Sequence, residues 1–283
     1  MSPGGCACCG YAAPWTRADS GPFVVDVRPR ELKFAARQWH SRGRLCHTNA
    51  RTEARGSAGG ALTSAMVPFG VILDLDGTLA DTLADLTAGL NHALSGVGLP
   101  PLPASRVRGY VGDGLANLIQ RAVGPATDVS IDALIVRFRE HYRAHCLDAT
   151  RLYPGVDDML TALAGAGCPL AVLSNKPDDF TRTMCAGLLG QWPIAAVAGA
   201  SERLSKKPDP ASALALCAAM DRRPAETVMV GDSPSDVETA RRGGMLALGV
   251  TWGFRDRDSL AAAAPDGLVD DPAAAARWIV QRM

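Results

Sequence analysis

The feature that most constrains this chain is a repeated pattern. Short apolar runs each stop at a polar cluster, and helix-length segments lie between them. Val71 to Leu73 stops at Asp74-Leu75-Asp76-Gly77-Thr78, Pro169 to Leu173 at Ser174-Asn175-Lys176-Pro177, and Thr227 to Val230 at Gly231-Asp232-Ser233-Pro234-Ser235-Asp236. Ile194 to Ala198 and Leu246 to Val250 are further runs of the same kind. Unbroken apolar runs of this length read as buried strands. Strands alternating with helices predict an α/β fold: a Rossmann-like parallel sheet in a three-layer α/β/α core. In such sheets polar chemistry gathers at the C-terminal strand ends.

Asp74 and Asp76 stand at one such end. Residues two apart on a strand point the same way, so both carboxylates can address one site. Two carboxylates together in a buried setting oppose each other's ionisation. A divalent cation relieves that cost, and Mg²⁺ favours oxygen ligands. A long helical stretch follows. Leu83, Leu86, Leu90 and Leu94 recur at helical spacing, Leu115 to Ala122 forms a second helix, and Ile131 to Cys146 a third. Residues 83–152 therefore read as an all-helical insertion after the first strand, with 66–82 and 153–283 forming the core. Gly112-Asp113-Gly114 precedes the second of these helices, where free backbone amides can receive an anion. Arg106, Arg108 and Arg121 are candidates for a substrate carboxylate. His141 and His145, at i and i+4, read as a solvated helix face in preference to a metal pair.

Residues 1–65 differ from the rest. They carry nine Lys/Arg against four Asp/Glu, although the whole chain has 29 of each. They are rich in Gly, Ala, Arg and Ser and read as a disordered extension, with Met66 as the natural start. Phe23 to Val27 has the character of a short strand. Cys6, Cys8, Cys9 and Cys46, with His40 and His47, match no strong zinc spacing. The eight cysteines show no disulfide framework, which fits reduced thiols in a cytoplasm. A net charge of zero argues against nucleic acid as a partner. No apolar stretch is long enough to predict a membrane span. Monomer and homodimer both stay open.

The polar clusters together resemble the four motifs of the haloacid dehalogenase superfamily. Asp74-Leu75-Asp76-Gly77-Thr78 is similar to its first motif, Ser174 to the second, Lys207 before Pro208 to the third, and Gly231-Asp232 through Asp236 to the fourth. The resemblance runs from residue 67 to about 255. It implies a Mg²⁺-dependent phosphatase with a helical cap. Asp74 would be the nucleophile and Asp76 the general acid/base, with Ser174 and Lys207 holding phosphoryl oxygens. Asp74, Asp232 and the Asp76 backbone carbonyl would bind the metal, and Asp236 would orient the metal or Lys207. An acid at position 76 speaks against dehalogenation. Val111 to Leu115, the run Leu173 to Pro177 and Lys206-Lys207-Pro208-Asp209-Pro210 resemble the phosphoglycolate phosphatase branch. That branch implies a small phosphorylated metabolite as substrate, contacted by Asn175, Gly112, Asp113 and Gly114. Sugar-phosphate phosphatases such as the N-acetylmuramic acid 6-phosphate enzyme, nucleotide phosphatases, phosphomutases and a non-catalytic module are the alternatives.

Overall fold

The computed structural model describes residues 69–125 and 129–283. The extension over 1–65, its strand at Phe23 to Val27, its cysteine group and the start at Met66 lie outside the described residues. In chain order the elements are β1 (Gly70–Leu73), β2 (Ala80–Asp81), α1 (Leu83–Ser95), α2 (Ala104–Arg108), α3 (Leu115–Val123), α4 (Ile131–His145), β3 (Arg151–Leu152), α5 (Val156–Gly165), β4 (Leu170–Pro177), α6 (Asp178–Leu188), β5 (Ile194–Ala200), α7 (Ala211–Ala219), a 3₁₀ turn (Pro224–Glu226), β6 (Thr227–Gly231), α8 (Pro234–Gly243), β7 (Leu246–Val250), α9 (Arg257–Ala262), β8 (Gly267–Val269) and α10 (Pro272–Val280).

Six strands form one parallel sheet in the order β5-β4-β1-β6-β7-β8. Alternation along the strands divides the core between its two faces. Val71, Leu73, Val172, Val228 and Val230 pack with Met159, Leu160, Phe180 and Ile279 on one face. Ile72, Ala171, Leu173 and Met229 pack with Ala213, Leu216, Val237 and Ala240 on the other. This is the expected three-layer arrangement. The sequence reading stopped one strand at Leu173, whereas β4 continues through Ser174, Asn175 and Lys176, with a register irregularity against β5. At the C-terminus α9, β8 and α10 close the sheet edge, with Ile279 fully buried.

Helices α1 to α4 lie between β2 and β3, which pair antiparallel with Ala80 opposite Leu152 and Asp81 opposite Arg151. The insertion thus leaves and rejoins the sheet side by side. Asp85, buried in the first turn of α1, secures the return. Its carboxylate accepts from the Ala149 amide at 3.0 and 3.1 Å, the Thr150 amide at 2.9 Å and the Thr150 hydroxyl at 2.7 Å. Between α1 and α4, Gly89 lets the helices approach closely: a Cβ there would stand 3.0 Å from the Phe138 ring.

Candidate active site

The C-terminal ends of the adjacent strands β4, β1 and β6 deliver Ser174, Asp74 and Asp232 to one cleft. The cleft encloses about 630 Å³ of empty space, counted out to the solvent at its open mouth. Asp76, Lys176, Lys207 and Arg255 line it as well, and Val111, Leu115, Phe138 and Tyr142 face it from the insertion.

Lys207 holds the centre. Its Nζ lies 2.7 Å from Asp74 Oδ1 and 2.7 Å from Asp236 Oδ1. Burial disfavours the ammonium, but Asp236 and Asp74 outweigh it and hold the Lys207 pKa above its ordinary value. The other Asp236 oxygen accepts from the Ser233 amide at 3.1 Å and the Ser233 hydroxyl at 2.6 Å, which fixes the start of α8. Both Asp236 oxygens are therefore committed, and its contact with Lys207 makes it a positioning group.

Asp74, Asp232 and Asp236 bring carboxylate oxygens within 4.8 Å of one another, and among the described residues this is the only such group. Burial raises the Asp74 carboxyl well above the ordinary range. Lys207 opposes that shift, and Asp236 and Asp232 reinforce it. Asp232 is pushed up to about 6 by burial and by Asp236, against the Phe254 amide, Lys207 and Arg255. Two buried carboxylates held uphill of their normal ionisation, with only oxygen donors around them, suit a hard divalent cation.

Backbone geometry makes room for this cluster. Gly77 has φ +85°, and a Cβ there would overlap the Asp232 carboxylate. A Cβ on Gly253 would overlap Asp232 and the Gly77 carbonyl. Gly253 belongs to the loop after β7, whose Phe254 amide donates to Asp232 Oδ2 at 2.6 Å. That loop also meets the insertion through two arginines. Arg108 donates to the carbonyls of Gly253 at 2.6 Å and Phe254 at 2.9 Å. Arg255 donates in return to the carbonyls of Val111 at 2.5 Å and Gly109 at 3.3 Å.

The structure brings Asp74, Asp76, Ser174, Asn175, Lys207, Asp232, Gly112 and Gly114 to the cleft wall. Asn175 acts there as a clamp. Its amide donates to Gly112 O at 3.0 Å and Lys207 O at 3.1 Å, and its carbonyl accepts from Lys207 N at 2.7 Å. Its side chain is therefore spent on joining the insertion to the core. Asp113 pairs with Arg121 away from the wall. Arg106 bonds to the Tyr110 hydroxyl, and Arg121 also bonds to the Tyr110 carbonyl. The three candidate arginines are thus engaged elsewhere. His141 stacks between His92 and His145, with ring centroids 4.4 Å apart on each side, outside the cleft.

Sequence reasoning missed Lys176. Its Nζ lies 2.8 and 3.0 Å from the two Asp76 oxygens and 5.0 Å from the Tyr142 ring centroid. Burial disfavours its charge, but Asp76 more than compensates and raises its pKa. Period two was the available signal: if the strand runs past Leu173, Lys176 faces the same way as Ser174.

A sequence model of haloacid dehalogenase-like hydrolases matches residues 71–250. The chain belongs to this family. Among relatives of this hydrolase, the phosphoglycolate phosphatase of Rhodospirillum rubrum is 35% identical over 221 residues, covering 75% of this chain and 91% of that protein. The phosphoglycolate phosphatase of Chromobacterium violaceum is 34% identical over 197 residues, covering 68% and 89%. A crystal structure described as a predicted phosphoglycolate phosphatase from Haemophilus somnus superposes with a TM-score of 0.69 at 29% identity, over 75% of this chain and 97% of that one. CbbY from Rhodobacter sphaeroides, solved with phosphate, shares the fold, with a TM-score of 0.63 at 21% identity over 73% and 96%. The haloacid dehalogenase-like hydrolase described here is accordingly a phosphatase.

Proposed function

We propose that this phosphatase hydrolyses 2-phosphoglycolate to glycolate and phosphate, with Mg²⁺ bound and through an aspartyl-phosphate on Asp74. The observation that carries the mechanism is the division of partners between the two aspartates. Asp74 sits on Lys207 within the carboxylate cluster, whereas Asp76 pairs with Lys176 outside it. This division supports a reading in which Asp74 serves the phosphorus and Asp76 the leaving oxygen.

Asp74, Asp232 and the Asp76 backbone carbonyl would hold the cation. When bound, Mg²⁺ supplies positive charge that screens the phosphate from the nucleophile. Asp74 attacks phosphorus in line and forms the acyl phosphate. Asp76 gives a proton to the departing alkoxide, then takes one from the water that attacks the aspartyl-phosphate. The Ser174 hydroxyl, whose oxygen accepts from the Lys176 amide at 3.3 Å, keeps its own proton for a phosphoryl oxygen. Lys207, already fixed by Asp236, adds a charge where negative charge spreads in the transition state. The helical insertion acts as the cap: its residues Val111, Leu115, Phe138 and Tyr142 exclude water from the cleft. Gly112 and Gly114 offer backbone there, and Asp113 positions Arg121.

The substrate assignment is supported by relatives named phosphoglycolate phosphatase at about 35% identity. A cytoplasmic setting fits four buried, unpaired thiols, Cys146, Cys168, Cys185 and Cys217, of which burial pushes the last three up to about 11, 12 and 11.

Two measurements test this reading. Asp74→Asn should lower Mg²⁺-dependent turnover of an aryl phosphate by at least about 10³-fold while the thermal transition persists; retained turnover removes Asp74 as nucleophile. Across a panel of phosphate monoesters, 2-phosphoglycolate should stand among the highest kcat/KM values, and a low rank refutes the substrate.

A further inference from the structure

Three cationic side chains line the cleft, and each is differently held. Lys207 is fixed between Asp74 and Asp236, and Arg255 gives its guanidinium to the carbonyls of Gly109 and Val111. Among the described residues Lys176 has Asp76 as its one carboxylate partner, at 2.8 and 3.0 Å, and also meets Tyr142, with its side chain 3% exposed. This arrangement has a chemical difficulty. Asp76 must meet the ester oxygen of the substrate, yet both of its oxygens are taken by one ammonium. A buried ammonium gives up such a partner only for another anion, since leaving it unpaired is strongly unfavourable.

The shape of a 2-hydroxy-acid phosphate supplies that anion. Its carboxylate is attached to the same carbon that carries the ester oxygen. With the ester oxygen at Asp76, the carboxylate is within reach of Lys176, whose Nζ lies 2.8 and 3.0 Å from the Asp76 oxygens. On that side the remaining wall is apolar, built from Leu86, Leu118, Phe138 and Phe180. Tyr142, carried on α4, presents its ring to the ammonium from the insertion, so Lys176 lies at the seam between insertion and sheet.

We propose that Lys176 is the specificity residue of this site: it exchanges Asp76 for the carboxylate of the bound phosphoester, and in doing so releases Asp76 toward the ester oxygen. The inference rests on the reading of the protein as a phosphoglycolate-type phosphatase and adds to it a rule for the substrate class, which is a carboxylate one carbon from the ester oxygen. An ester lacking that carboxylate gives Lys176 nothing to exchange for, so Asp76 stays occupied.

Two matched pairs of substrates isolate the carboxylate: 2-phosphoglycolate against ethyl phosphate, and 2-phospholactate against isopropyl phosphate. For the full chain, kcat/KM should favour the carboxylated member of each pair. In Lys176→Met that preference should fall about 10- to 100-fold, the worth of a hydrogen bond to a charged group, with KM for the carboxylated ester rising. Lys176→Arg, which keeps the charge, should retain part of the preference. If the methionine variant does not fold, Lys176→Gln gives the same comparison. An unchanged preference in the neutral variants, whatever happens to the absolute rates, overturns the role of Lys176 and leaves the phosphoglycolate reading standing. A full chain that turns over 2-phospholactate better than 2-phosphoglycolate, and loses its preference for the carboxylated ester when Lys176 is neutralised, overturns the substrate but not the lysine. A full chain with no preference in either pair overturns both.

Discussion

Asp232 shows how single groups in this site carry opposed demands. In the metal-free fold its carboxyl is pushed up to about 6, above its ordinary 3.8, chiefly by burial. A raised carboxylate stabilises the fold only in its protonated form. That contribution is complete below the ordinary pKa and is lost as pH rises through about 6. Cation binding needs the ionised form and reverses the preference. Mg²⁺ should therefore raise Tm at pH 7.5, with about 2.7 kcal/mol gained at a hundredfold excess over Kd. The gain should shrink as pH falls through 6, to about half by pH 5, where protonation weakens binding about tenfold. Thermal scans with and without Mg²⁺ check this, and an equal gain at both pH values removes Asp232 from the cation site. At this scale the sequence was readable wherever a polar residue directly followed an apolar run. Asp74, Asp232 and Ser174 stood out for that reason. Lys176 did not, because Asn175 before it and Pro177 after it have the composition of a turn, and only backbone pairing with β5 shows that the strand continues.

Elements are joined here by carboxylates and amides whose partners lie far away in sequence. Asp85 and Thr150 are 65 residues apart, and Asn175 and Lys207 are 32 apart. Periodicity located α1 and α4 but carries no information about such contacts. The Asp85 carboxylate satisfies the buried amide and hydroxyl of Thr150 and the part-buried amide of Ala149 at the return of the insertion. Asp85→Ala should cost about 1–3 kcal/mol, since it strands the two Thr150 donors without water. Urea unfolding should show a lower midpoint with an unchanged slope; an unaltered midpoint would mean that the return segment is held by other contacts. The reciprocal arginines 108 and 255 work at the same scale. They tie the loop that donates to Asp232 onto the insertion, so the position of the helices is felt at the carboxylate cluster through Phe254.

For the molecule as a whole, the described residues from Phe69 onward supply a complete six-stranded sheet, cover for both of its faces and the cleft side chains named above. Removing residues 1–65 should then leave kcat/KM and Tm within experimental error of the full chain. A soluble but inactive product, or a markedly lower Tm, would give that segment a part in the fold. The order of strands and helices along the sequence was sufficient to anticipate the parallel sheet, because each apolar run had its own helix to cover it. The order of strands across the sheet was not legible, since nothing local distinguishes a central strand from its neighbours. The short ribbon of β2 and β3 escaped notice for a related reason: two-residue strands are below any periodic signal.

That ribbon has a consequence for the history of such a chain. Its two strands start and finish the insertion at neighbouring points, so what lies between them can change in length or be replaced while the six-stranded sheet keeps its register. The sheet, whose strand ends carry Asp74, Lys176 and Asp232, and the helical insertion that faces them are thus separable in inheritance. The apolar wall over the cleft can be exchanged as one contiguous stretch of sequence, while the charged groups, scattered over the remaining chain, stay as they are.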